Sequence, residues 1–242
     1  MLQLKGYQQK SLDSLTTYLR ACDKQQDAAS AFYETTRQIW ERGIPYNPIK
    51  EPAELKDIPY VCIRLPTGGG KTLLACHSIS IANKEYLKHE HSLVLWLVPS
   101  NTIREQTVNA LKDRSHPYRE ALESTLGTVT VMDIMESLYL QQATLLSSTV
   151  VIVATLQAFR VEEKEGRRVY SSNGALQHHF QGLPKEIMDT LEHGENGAIV
   201  YSLANVLRIH RPLLIVDEAH NARTALSFDT LARFRPAAII EF

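Results

Sequence analysis

Cysteine is scarce in this chain. Cys22, Cys62 and Cys76 are the only three in 242 residues, an odd number without metal-ligand spacing. That excludes a disulfide framework and a cysteine-built zinc site, and it fits the reducing cytoplasm, the expected compartment. Long hydrophobic runs are also missing. The longest, Leu93 to Val98, Val150 to Ala154 and Leu213 to Val216, are far too short to span a bilayer, and the N-terminus carries no apolar segment of signal length, so no membrane partner is expected. Nor is there an excess of either charge. Lys and Arg number 26 against 27 Asp and Glu, for a formal net charge of −1. A wholly basic nucleic-acid binder is thereby excluded, and any contact with DNA or RNA must be local. No internal repeat is visible.

A hydrophobic fraction of 44% suffices to bury a core. Short solid apolar runs recur, each followed by an amphipathic stretch, the pattern of parallel strands buried on both faces and alternating with helices. Strands are predicted near 59–64, 92–98, 128–132, 149–154, 212–217 and 237–242, giving a three-layer α/β/α class with a mostly parallel, doubly wound sheet of about six strands. Ahead of the first strand, Leu12, Leu15 and Leu19 share a helical face beginning just after Tyr7-Gln8, and a second helix is predicted over 27–42. Pro45, Pro48 and Pro52 then form a linker, so that 1–58 reads as a helical segment and 59–242 as the main lobe. Residues 161–197, with the charged VEEKEGRR and the turn-rich SSNG and EHGENG, carry no buried strand and read as a surface insertion.

The sharpest signal is Leu65-Pro66-Thr67-Gly68-Gly69-Gly70-Lys71-Thr72. It fits the phosphate-loop pattern except for Leu65 at the first glycine position. The later glycines let backbone N–H groups turn toward phosphate oxygens, and the helix starting near Lys71 directs its positive dipole end at the same charge. Lys71 should reach the β- and γ-phosphates, and the Thr72 hydroxyl should ligate Mg²⁺. The strand before and the helix after are the context this motif requires. The second signal, Leu213 to His220, is an apolar strand ending on adjacent carboxylates, at the sheet edge where open α/β folds bind ligands. Asp217 is expected to hold Mg²⁺ and Glu218 to orient or deprotonate the attacking water, which together imply ATP hydrolysis. Read alone, the acidic pair could be a helix start, where the dipole favours carboxylates.

With both motifs in place, the chain resembles the first RecA-like lobe of superfamily-two DEAD/DEAH-type helicases, a group of phosphate-loop NTPases that includes the motor subunit of type III restriction enzymes. PTGGGKT and VDEAHNA carry the likeness. LKGYQQ, LVPSNTIREQ and ATLQAF are softer matches. The resemblance implies that Gln8 reads the adenine edge, that Pro66 and Thr67 line the nucleotide site with the glycines, and that His220 couples the ATP state to the nucleic-acid side. It also implies that Ser100, Asn101, Thr155 and Gln157 touch a nucleic-acid backbone, and that DNA rather than RNA is the partner. Residue by residue, Tyr7-Gln8 could equally begin a helix, and Pro99-Ser100-Asn101 could be a loop and helix cap.

In that family a Ser/Thr-Ala-Thr motif, a second RecA-like lobe and an arginine finger follow the acidic motif. Ile239-Ile240-Glu241-Phe242 looks like the strand that leads into this third motif. In the family that strand lies between the phosphate-loop strand and the acidic-motif strand. The 242 residues are therefore expected to carry one lobe, with the second lobe absent and a nuclease domain and a modification subunit as further partners of the parent system. Weak turnover is expected from one lobe, since an arginine finger contributes ~10³-fold or more in related phosphoryl transfer. Two alternatives stay open: a phosphate-loop ATPase acting on other partners, and a nucleotide-gated binding module. His178, His179 and His193 read as solvated loop residues, Arg167 and Arg168 as an exposed turn, and Trp96 and Trp40 as packing residues.

Overall fold

The computed structural model describes residues 3–47, 49, 51–160, 164–217 and 225–242. Two helices come first, α1 (Gly6–Gln25) and α2 (Ala28–Trp40), followed by strand β1 (Tyr60–Cys62) and helix α3 (Lys71–Ala82). Strand β2 (Leu93–Val98), helices α4 (Asn101–Lys112) and α5 (Pro117–Leu126) and strand β3 (Val129–Asp133) come next. Then follow α6 (Gln142–Ser147), β4 (Thr149–Thr155), α7 (Lys164–Tyr170), α8 (Lys185–Met188) and α9 (Leu203–His210). Strand β5 (Leu213–Val216), helix α10 (Ala225–Ala232) and strand β6 (Ala238–Glu241) complete the order.

All six predicted strands form, within a residue or two of the expected bounds. They pair in parallel throughout, in the order β1-β6-β5-β2-β4-β3. Because strand side chains alternate between faces, each apolar run feeds two cores. Val94, Trp96 and Val98 of β2 face one core with Val151, Val153, Ile215 and Ile240. Leu93, Leu95 and Leu97 face the other with Val150, Ile152, Leu214 and Ile239. That alternation, covered by helices on both sides, is the three-layer arrangement of a RecA-like lobe.

The helices begin where the sequence supplies caps. Asp27 accepts the Ala29 N–H at the head of α2, Ser100 the Ile103 N–H at α4, and Ser202 the Asn205 N–H at α9, each satisfying a donor the first turn leaves open. Helix α3 is apolar on every side, with Leu73, Leu74, Ala75, Cys76 and Ile79 all buried. The α1 stripe of Leu12, Leu15, Leu19 and Cys22 lies in the same core as α3, so the segment before residue 59 is a layer of the lobe and not an appendage.

Three expectations need correction. The described part of 161–197 is more than a surface insertion: Val169, Leu176 and Leu191 are buried, and Val169 and Leu176 join the second core. Trp40 is not packed, being 60% exposed, because the buried stripe of α2 runs through Ala28, Ala31 and Thr35 and position 40 falls well off that line. His179 is not solvated but 1% exposed. Its Nε2 lies 2.9 Å from the Leu140 carbonyl, and its Nδ1 3.0 Å from Nε2 of His210. A carbonyl only accepts, so His179 donates from Nε2 and takes the His210 N–H on Nδ1. Burial lowers both pKa values. For His179 it outweighs the hydrogen bond to Leu140 and is helped by His178; for His210 it is helped by His179, and the value falls to about 4. Trp96, by contrast, is fully buried as expected.

Candidate nucleotide site at the carboxyl edge of the sheet

Register aligns the strand ends that matter. Cys62 of β1 pairs with Glu241 of β6, Glu241 with Val216 of β5, and Val216 with Leu97 of β2. The next residues along, Ile63, Phe242 and Asp217, remain tied to the sheet: Ile63 N–H donates to Glu241 at 2.8 Å, Phe242 N–H to Val216 at 3.0 Å, and Asp217 N–H to Leu97 at 2.9 Å. The loop after β1 and the carboxylate after β5 thus leave the same edge with one strand between them, about 10 Å apart across the sheet at ordinary strand spacing. This is the edge where open parallel sheets bind ligands.

The loop is shaped by its glycines. Gly69 N–H donates to the Pro66 carbonyl at 2.9 Å, closing a tight turn, and Gly68 at its third position has φ +74°, the conformation a type II turn requires there. Gly70 has φ +83° and ψ +35°, caps α3, and accepts the Leu74 N–H at 3.0 Å. Lys71 and Thr72 occupy the first turn of α3, so their side chains start beside the open N–H groups of the helix end. Thr67 and Gly68 are exposed, while Gly69 is buried. The loop that carries the predicted nucleotide residues Pro66 to Thr72 thus leaves the sheet at the same edge as Asp217, one strand away. Glu218 and His220 lie outside the described residues.

The buried neighbour of Gly69 is the start of α1. Gln8, 5% exposed, donates from Nε2 to the Gly69 carbonyl at 2.8 Å and accepts the Lys5 N–H on Oε1 at 2.8 Å. The Tyr7 hydroxyl donates to the same Gly69 carbonyl at 3.0 Å. A Cβ at position 70 would overlap the Gln8 amide nitrogen, so with any other residue there Gln8 would have to move off the Gly69 carbonyl. Sequence reasoning singled out Gln8 but passed over Tyr7, whose only signal was its place beside that glutamine.

The predicted nucleic-acid residues sit along the same edge. Val98 and Thr155 are partners at the ends of β2 and β4. Ser100 and Asn101 follow β2 and are exposed, and Gln157 follows β4 and is exposed. Thr155 differs: it is 2% exposed and its hydroxyl accepts the Ala158 N–H at 3.3 Å. Its side chain caps a turn, which corrects the expectation of a direct backbone contact; Ser100, Asn101 and Gln157 keep side chains at the surface.

The residues present suit a magnesium triphosphate. The two positive-φ glycines, the α3 N-terminus, Lys71 and Thr72 form an anion cradle, and Asp217 supplies a hard oxygen ligand of the kind Mg²⁺ takes. Among the described residues no group of three or more His, Cys, Asp or Glu could hold a metal ion. No described helix is long and apolar enough to cross a membrane.

In comparisons with known proteins, the family model described as type III restriction enzyme, res subunit, matches residues 1–242. No curated protein matches the chain.

Proposed function

The chain belongs to the family of type III restriction enzyme res subunits, a helicase-like phosphate-loop lobe, and from that premise we propose that it binds ATP with Mg²⁺ and couples the nucleotide to contact with DNA. The observation that supports this reading best is the strand order: with β6 between β1 and β5, the loop of Lys71 and the carboxylate of Asp217 open on one edge. Lys71 would neutralise the β- and γ-phosphates, while Thr72 and Asp217 would hold the metal. The metal, when bound, withdraws charge from the phosphoryl group being transferred. Glu218, next in sequence to Asp217, is the residue we assign to orienting water. Exposed Ser100, Asn101 and Gln157 on the neighbouring strand ends would donate to phosphates of a DNA strand. Closure against a second RecA-like lobe, with its arginine finger, would convert hydrolysis into movement.

Calorimetric titration with MgATP tests the binding step. The wild-type chain is expected to release or absorb heat saturably, and Lys71→Ala to lose most of that signal while melting at the same temperature. Glu218→Gln should keep binding and abolish residual turnover. Absence of binding by the folded wild type would overturn the reading. DNA affinity that ignores both salt and ATP would instead favour an ATPase with another kind of partner.

A further inference from the structure

The Gly69 carbonyl accepts two hydrogen bonds from consecutive residues of a distant element, Tyr7 Oη at 3.0 Å and Gln8 Nε2 at 2.8 Å. A trans peptide is planar, with its C=O and the following N–H pointing in opposite directions. A fixed Gly69 carbonyl therefore fixes the Gly70 N–H on the opposite side of the same plane. Gly70 is in the left-handed region, with φ +83°. Glycine crosses easily between left- and right-handed wells, so this peptide could turn over and withdraw its N–H unless something holds the oxygen. The two donors of α1 supply that hold, Gln8 from a buried position and Tyr7 from an exposed one.

From this geometry we propose that Tyr7 is a positioning residue of the phosphate loop, pinning the Gly69–Gly70 peptide so that the Gly70 N–H faces the bound polyphosphate. The inference rests on the nucleotide-binding reading above and deepens it. Gln8 shares the pin, because its amide is engaged at both ends, with Lys5 N–H on one side and Gly69 on the other. Tyr7 acts through the loop backbone and touches neither the base nor the metal. Its effect must therefore be the same for every ligand that carries a polyphosphate, whatever base is attached.

The test compares wild type and Tyr7→Phe, which removes only the hydroxyl, in titrations with MgATP, MgGTP and magnesium tripolyphosphate. Losing one of two neutral hydrogen bonds to the pinned carbonyl is expected to weaken all three ligands by a common factor of roughly 2 to 10, with the melting temperature unchanged. Gln8→Ala is expected to lower all three by a common factor as well. Two outcomes overturn the proposal: unchanged affinities in Tyr7→Phe, or a loss confined to MgATP, which would make Tyr7 a base contact. If the wild type binds none of the three, the nucleotide-binding reading itself fails, an outcome separate from either of these.

Discussion

Alanine at position 70 should be far more damaging to nucleotide binding than alanine at position 68, although both glycines have positive φ, +83° and +74°. At Gly68 a Cβ would meet nothing within 4 Å, so the cost is the left-handed strain alone, about 1–2 kcal/mol for an L residue. At Gly70 the same strain applies, and the new Cβ would also overlap the Gln8 amide nitrogen. Gln8 would then have to release the Gly69 carbonyl, a buried bond of 2.8 Å contributing about 0.5–1.5 kcal/mol net. The totals are about 1–2 kcal/mol for Gly68→Ala and about 1.5–3.5 kcal/mol for Gly70→Ala. With tenfold per 1.4 kcal/mol, that is a loss of roughly 5- to 30-fold against roughly 10- to 300-fold. Because the apolar body of α3 lies beyond the loop, the loss should appear as a weaker MgATP dissociation constant, with the urea midpoint nearly unchanged. Equal losses in the two variants would refute the packing argument, and full affinity in Gly70→Ala would refute the left-handed cap as well.

Further expectations concern the scaffold. Arg119, 8% exposed, donates to the Leu111 carbonyl at 3.2 Å, to the Val129 carbonyl at 2.8 Å and to Glu123 at 2.8 Å, tying α5 to α4 and β3. Arg119→Ala should cost about 2–4 kcal/mol in urea unfolding by orphaning buried acceptors, and Arg119→Lys should recover only part, since an ammonium lacks the fork that reaches both carbonyls. The His179–His210 pair gives a pH dependence. His210, buried and lowered from 6.5 to about 4, stays neutral in the native state while the unfolded chain takes up its proton. Stability should therefore fall as pH drops from about 6.5 toward 4, by on the order of 3 kcal/mol, and His210→Gln should flatten that slope between pH 7 and 4.5. Asp27, held low by Ser30, Glu85 by Arg20 and Asp113 by Ser115 stabilise above their ordinary values, and that contribution is lost only at lower pH. The chain's two tryptophans should separate by quenching: acrylamide should reach Trp40 and spare Trp96, so that Trp40→Phe leaves only protected fluorescence. An exposed signal persisting in that variant would contradict the buried β2.

The four central strands β2, β4, β5 and β6 were legible in the sequence because each is buried on both faces and so reads as a nearly continuous apolar run, while β3 showed as an alternation of Val129 and Val131 with half-buried neighbours. Lys71 and Asp217 stood out for a related reason: ligands of an open parallel sheet bind beyond the carboxyl ends of such strands. The position of β6 between β1 and β5 was not written in any local pattern and came only with the family resemblance. The packed part of 161–197 escaped because its anchors, Val169, Leu176 and Leu191, follow no period. His179 looked like a loop histidine because its partners, Leu140 and His210, are remote in sequence, and the Tyr7 contact with Gly69 spans 62 positions. Such long-range hydrogen bonds leave no trace in composition or spacing.

The placement of β6 also sets a timetable for folding. Among the described residues strand β1 has a single neighbour, and that neighbour is β6, with Tyr60 against Ile239. During synthesis the phosphate loop therefore has no sheet to stand on until residues 238–241 have left the ribosome, however early its own codons are read. Contacts so remote in sequence carry a large loop-closure entropy and form late. The β1 edge and the loop that follows it are thus among the last parts of the sheet to be completed.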